Sequence, residues 1–181
     1  MKKEVPLSNV NRLINSGNVI LVTSSYKDKS NIITLAWHSP ISIKPPAVGI
    51  FVAKAHFSSE LILKGEEFII NIPDWSLLDK VIYCGKHSGR DVDKFKETKL
   101  TKEKANRLIR TPKISGCIGF IECILRDYKE IGDHYLFIGE PIYAEAESEL
   151  FKQGIWDTSK ADLIYHLGSN FFMKSSKFIE K

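Results

Sequence analysis

The 181-residue sequence predicts a mainly β fold, an antiparallel barrel with short helices at its ends. Extended apolar runs outnumber helical ones. They follow one another as hairpins, whereas a parallel sheet would need them to alternate with crossover helices. No G-x-G-x-x-G follows any of these runs and no phosphate-cradling P-loop is present, which removes the dinucleotide-binding α/β folds. The patterns give about six or seven strands and three short helices.

From the N-terminus, Ser8 to Ser16 reads as a short helix. Ser8 caps it, Val10, Leu13 and Ile14 share a face, and Gly17 ends it. "NVILVTS" (18–24) is β-branched and apolar, hence a buried strand. "YKDKSN" is a turn, and "NIITLAW" (31–37) completes a hairpin. Pro45 and Pro46 cannot donate to a ladder, so they mark the entry of a third strand, Val48 to Ala53. Ser58 or Ser59 then caps a helix that runs through Lys64 to a stop at Gly65. "EFIINIP" is a fourth strand. "SLLDKVIYCG" is a helix with Leu77, Leu78, Val81 and Ile82 on one side. The polar segment 86–107 reads as a surface excursion with short helical pieces. "GCIGFIECILRDYKEI" and "HYLFIGEPIYAEAE" form a long hairpin turned by Gly132-Asp133, and "LIYHLG" and "FFMK" close the chain.

A chain of this length reads as one domain over 1–181, able to bury roughly 70% of its unfolded surface. The net charge of +4 is spread over lysines interleaved with acids, and no five-residue basic block occurs. No nucleic-acid partner is expected on that basis. The start has two lysines but no apolar signal-peptide region, and no apolar run approaches the ~20 residues of a membrane span. Cys84, Cys117 and Cys123 are odd in number and lack framework spacing, so a reducing, cytoplasmic setting is expected.

Cys84 and His87 have C-x-x-H spacing, but Cys117 and Cys123 do not form a second tight pair, so zinc is disfavoured against three inert thiols. Cys84 lies near Lys86 and His87, which could activate a thiol; the plain alternative is a packed helix-end cysteine. The stretch Asn31 to Ile62 is richer. Thr34, Trp37, His38 and Ser39 stand at a strand end, a position where barrels hold ligands. Ser58 and Ser59 meet a helix N-terminus, which suits a phosphate, and Lys54 could add charge. Taken alone, the same residues describe an ordinary capped helix beside a solvated lysine more readily than a ligand site.

Three separated segments change that balance. "NIITLAWHSPISIKPPAVGIFVAKAHFSSELILKGEEFIINIP", "CGKHSGRDVDKF" and "ECIL…GDHYLFIGEPIYAE" occur in one order, followed by "LIYHLGSNFF". Together they resemble the flavin reductase-like family of the FMN-binding split barrel, nearest its flavoredoxin and ferric reductase branch. The resemblance implies a six-stranded antiparallel split barrel, a homodimer, and one FMN (rather than FAD) in a groove at the subunit interface. It implies electrons arriving from NADH or NADPH, or from a protein donor, and leaving to flavin, ferric complexes or a redox protein partner. By position, Thr34, Leu35, Ala36, Trp37 and His38 would lie along the ring and ribityl chain. Phe51, Val52, Ala53 and Lys54 would pass beside the cofactor, and His56, Ser58 and Ser59 would hold its phosphate. Gly85, Ser88 and Arg90 would close over it, Lys94 and Phe95 would anchor that loop, and His134 would stand at the reacting end. Ser59 replaces a threonine common in relatives, keeping the hydroxyl. Three functions remain open at this level: an FMN-dependent NAD(P)H oxidoreductase, a flavin-binding electron carrier without that activity, and a flavin-free interaction module.

Overall fold

The structure, a computed structural model, describes residues 5–14 and 17–176. A 3-10 helix, Leu7–Leu13, follows Pro6 and starts two residues earlier than Ser8 capping would require. The side chains of Ser8 and Val10, and residue Ser16, lie outside the described residues. The strands that follow are β1 (Ile20–Tyr26), β2 (Lys29–Leu35), β3 (His38–Ile43), β4 (Pro46–Ala53) and β5 (Glu67–Ile72). Next come two-residue strands β6 (Lys102–Glu103) and β7 (Lys113–Ile114), and the long pair β8 (Gly119–Ile131) and β9 (His134–Ala146). Two short hairpins follow: β10 (Phe151–Lys152) with β11 (Ile155–Trp156), and β12 (Ile164–Gly168) with β13 (Phe171–Lys174). The helices are α1 (Phe57–Gly65), α2 (Leu78–Lys86) and α3 (Lys94–Thr98).

One seven-stranded sheet in the order β2-β1-β5-β8-β9-β4-β3 carries the fold, and every pair in it is antiparallel. The expected six strands become seven because His38–Ile43 pairs with β4. Its residues are mostly exposed and include Pro40, so they carry no burial alternation; pairing with a neighbour makes this a strand. Strand β3 follows β2 after a two-residue break, and the Phe51 N–H donates to the Trp37 carbonyl at 3.0 Å, which carries the β3–β4 ladder one pair further toward the end of β2.

Alternation along the strands sorts side chains between two layers. Ile20, Val22, Ile33, Leu35, Val52, Phe68 and Ile70 fill the barrel interior with Phe137. Val19, Leu21 and Ile32 point outward, where Val81 and Cys84 of α2, Phe95 of α3 and Ile164 of β12 cover them. Helix α1 starts at Phe57 behind His56, so Ser58 and Ser59 sit within its first turn and neither is the cap. It packs hard against β1: a Cβ at Gly65 would stand 2.2 Å from the Ser25 carbonyl oxygen. The left-handed residue that stops it is Glu66, one position beyond the expected stop.

The segment 86–107 is less superficial than its polarity implies. Lys94, Phe95, Thr98, Leu100 and Ala105 are buried. Two glutamates on the outer face of the sheet hold this region and its continuation. Glu122 accepts the backbone N–H groups of Asn106, Arg107 and Leu108, and Glu67 those of Arg110 and Thr111. No helix among the described residues is long and apolar enough to cross a membrane.

Candidate flavin site

The end of β2 runs past three cavities that share wall residues. Thr34 lines the first and second, Ala36 the second and third, and Trp37 and His38 the third. Alternation explains the choice. Thr34 and Ala36 lie on the outward face, and the Thr34 hydroxyl donates to the Val81 carbonyl of α2 at 2.7 Å. Leu35 lies between them and faces the barrel interior, so it can offer a ligand only its backbone.

The first cavity, about 260 Å³, is walled by His56, Phe57 and Ser58 at the start of α1 and by Lys86, His87, Ser88 and Gly89 after α2. Lys94 also lines it. This lysine is 4% exposed, and its ammonium donates to the carbonyls of Ile32 and Cys84, both at 2.7 Å. An ammonium has three N–H donors, so one remains. Burial pulls the Lys94 pKa below the ordinary lysine value. Ser58 accepts a hydrogen bond from Asn31 Nδ2 at 2.9 Å, and Ser88 Oγ accepts from the Arg90 N–H at 3.2 Å. Each hydroxyl keeps its own hydrogen to donate. Partial burial first, and then the nearness of Lys94, His134 and Arg90, holds the His56 imidazole below its ordinary value.

The second cavity, about 220 Å³, lies between β2, α2 and the terminal hairpin. Val81, Gly85, His166, Asn170 and Phe172 are on its walls. The third, about 410 Å³, is mostly apolar, with Trp37, Phe51 and Ile131 facing His134 and Asp133. The Trp37 and His134 rings are 5.1 Å apart and tilted 30°, and His134 Nδ1 lies 2.7 Å from Asp133 Oδ1. His38 Nε2 lies 2.6 Å from the Asn18 carbonyl, which commits that ring to the chain before β1.

Of the residues expected in the site, Thr34, Ala36, Trp37, His38, Phe51, His56, Ser58, Gly85, Ser88 and His134 line these cavities. Others are directed elsewhere. Val52 is fully buried in the barrel. The Ala53 carbonyl is occupied by the Ser59 hydroxyl at 2.9 Å, which turns Ser59 away from the cavity. Lys54 pairs with Glu130 at 2.7 Å and lies over the Tyr135 ring. Arg90 donates to the Ala55 carbonyl, pairs with Glu60 and lies over Phe57, lining a neighbouring depression. Sequence reasoning missed the cavity roles of Asn31, Lys86, Gly89 and the terminal hairpin, and gave Lys94 only an anchoring role. Lys86, Gly89 and Lys94 all stand in the "CGKHSGRDVDKF" motif, so their signal was present; Asn31 acts through Ser58, 27 positions away. Among the described residues no three His, Cys, Asp or Glu side chains gather as metal ligands.

The donor set fits a phosphate-bearing flavin: a cationic pocket with hydroxyl donors at one end, an aromatic pocket at the other, and strand backbone between them. A family model for the flavin reductase like domain matches residues 12–170. The chain belongs to the flavin reductase-like family and has its FMN-binding split-barrel fold. It is 31% identical over 184 residues to the uncharacterized protein YddH of Escherichia coli (strain K12), spanning 96% of this chain and 94% of that one. It is similar to a solved flavoredoxin from Methanosarcina acetivorans, with 29% identity, a TM-score of 0.82, and coverage of 91% of this chain and 87% of that one. An FMN-binding protein from Thermus thermophilus with bound 1-cyclohex-2-enone shares the fold, with 22% identity, a TM-score of 0.86, and coverage of 100% and 98%.

Proposed function

We propose that the chain is an FMN-dependent oxidoreductase that receives electrons from NADH, NADPH or a protein donor and passes them to flavin, a ferric complex or a partner. The observation that supports this reading most is the order of the cavities along Thr34 to His38, cationic at one end and aromatic at the other. The FMN phosphate would sit among His56, Ser58, Ser88 and Lys94. Its ring would lie toward Trp37, Phe51 and His134. Bound FMN supplies the hydride and electron chemistry. The chain's own residues bind, orient and shield. Thr34 to His38 offer backbone along an extended ligand, Lys94 and the start of α1 balance the phosphate charge, and Trp37 with Ile131 excludes water at the ring end. His134, braced by Asp133, offers a ring nitrogen to a hydrogen-bonding partner at that end.

FMN titration followed by anaerobic mixing with NADH or NADPH tests this reading. Ser58→Ala should weaken FMN by about tenfold, the loss of one hydrogen bond to a charged group. Ser59→Ala should leave FMN affinity unchanged. His134→Ala should slow reduction more than it weakens FMN. Absence of FMN binding at micromolar concentration overturns the proposal.

The similarity to flavoredoxin favours a second reading, an electron carrier reduced by a protein donor and unreactive toward NAD(P)H. Stopped-flow reduction by each donor separates the two. A homodimer belongs to either reading, and sedimentation equilibrium reports it directly.

A further inference from the structure

We propose that His56 takes up a proton from solvent as the phosphate end of the flavin enters the first cavity, and so makes this site choose FMN over riboflavin. The proposal rests on the reading of that cavity as the phosphate seat.

The argument begins with charge. Lys86, Lys94, His56 and His87 line the cavity, and no carboxylate does. The nearby acids are engaged elsewhere. Glu60 pairs with Lys64 at 2.8 Å and Arg90 at 3.4 Å. Asp93 accepts the Lys96 N–H at the start of α3, Asp91 lines the neighbouring depression with Arg90, and Asp133 is bonded to His134. Cys84, also on the wall, stays a neutral thiol because burial raises it to about 11.

His56 stands at the entrance to α1, whose first N–H groups lack intrahelical acceptors. Partial burial, with Lys94, His134 and Arg90 nearby, disfavours the charged form of its ring in the free protein. His87 is more constrained: it stacks on Tyr83 at 3.9 Å and its Nδ1 lies 3.0 Å from the Tyr83 carbonyl. A phosphate dianion beside His56 reverses the local field. An opposite charge at contact raises an imidazole by about 1–3 pKa units, against the lowering that burial and the nearby cations impose in the free protein. FMN then binds together with a proton, and the complex keeps a short-range charged hydrogen bond that riboflavin cannot form.

The linkage sign follows. The complex holds more protons than free protein plus FMN, so affinity rises as pH falls. The window runs from about pH 8 down to about pH 6.5, below which the phosphate itself begins to protonate.

The test is calorimetric titration of the full chain with FMN and with riboflavin at pH 7, in non-phosphate buffers of different ionisation enthalpy. Uptake approaching one proton per FMN and none with riboflavin is expected. The FMN Kd should weaken by up to about tenfold per pH unit between 6.5 and 8, while the riboflavin Kd stays flat. His56→Gln should bind FMN without proton uptake and with a flat pH profile. No uptake with FMN, equal uptake with riboflavin, or uptake that persists in His56→Gln overturns the proposal. The wild-type comparison of the two flavins decides it even where the variant fails to fold. Failure to bind FMN at any pH is a different result, and it overturns the cofactor reading beneath.

Discussion

A Cβ at position 89 would stand 2.1 Å from Asn31 Oδ1, closer than any real contact. Asn31 is buried and its amide holds the Ser58 hydroxyl, so the loop after α2 and the start of α1 are fitted to each other through this one side chain. Gly89→Ala should push Asn31 off Ser58. The expected outcome is about 1–3 kcal/mol of lost stability, in the range of an overpacked core, with weaker FMN binding in parallel. Thermal unfolding and flavin titration of the variant check it, and an unchanged Kd would separate Asn31 from the site. The same scale shows what sequence could not resolve. Ser58 and Ser59 are neighbours of identical chemistry, and one helical position turns them about 100° apart. Because α1 begins at Phe57, Ser58 meets the cavity and Ser59 meets the Ala53 carbonyl. The helix was legible from its composition; its register by one residue was not.

At the scale of elements, the long hairpin was readable because β8 and β9 are extended throughout and Gly132, at φ +58, sits in the turn with nothing near its missing Cβ. Strand β3 was not, since an exposed edge leaves no apolar signal. Burial in the excursion after α2 was hidden for another reason. Its backbone is held by Glu122 and Glu67, acids that look like solvated residues in an alternating strand. Glu122 is fully buried and collects three backbone N–H groups at 2.6 to 2.9 Å. In Glu122→Gln the amide NH₂ would face N–H donors, and hydrogen bonds to charged groups are worth about 1.5–3 kcal/mol each. The variant should unfold at lower denaturant, and trypsin should cut sooner after Arg107 and Arg110. An unchanged cleavage rate would mean that packing of Ala105 and Leu108 alone holds the segment.

For the whole molecule, the curled sheet does two jobs with one alternation. Inward residues of β1, β2 and β5 make the barrel core, and outward residues of β1 and β2 meet α2, α3 and the terminal hairpin, where two of the three cavities lie. The cofactor class was legible because ordered motifs mark both walls; the terminal hairpin's share was not, since β12 and β13 reach the site only through tertiary packing. The same layering isolates the thiols. Cys84, Cys117 and Cys123 are all buried, and burial raises them to about 11, 12 and 12. A folded molecule is therefore nearly silent to a thiol-labelling reagent at neutral pH, and labelling becomes a clock for opening. Cys84 alone of the three borders the phosphate-end cavity, so FMN should slow its reaction while leaving Cys123 in the barrel interior unaffected. Mass spectrometry of partly labelled protein would read this difference. The chain thus carries, with no added probe, one sulfur that reports cavity opening and another that reports loss of the barrel itself.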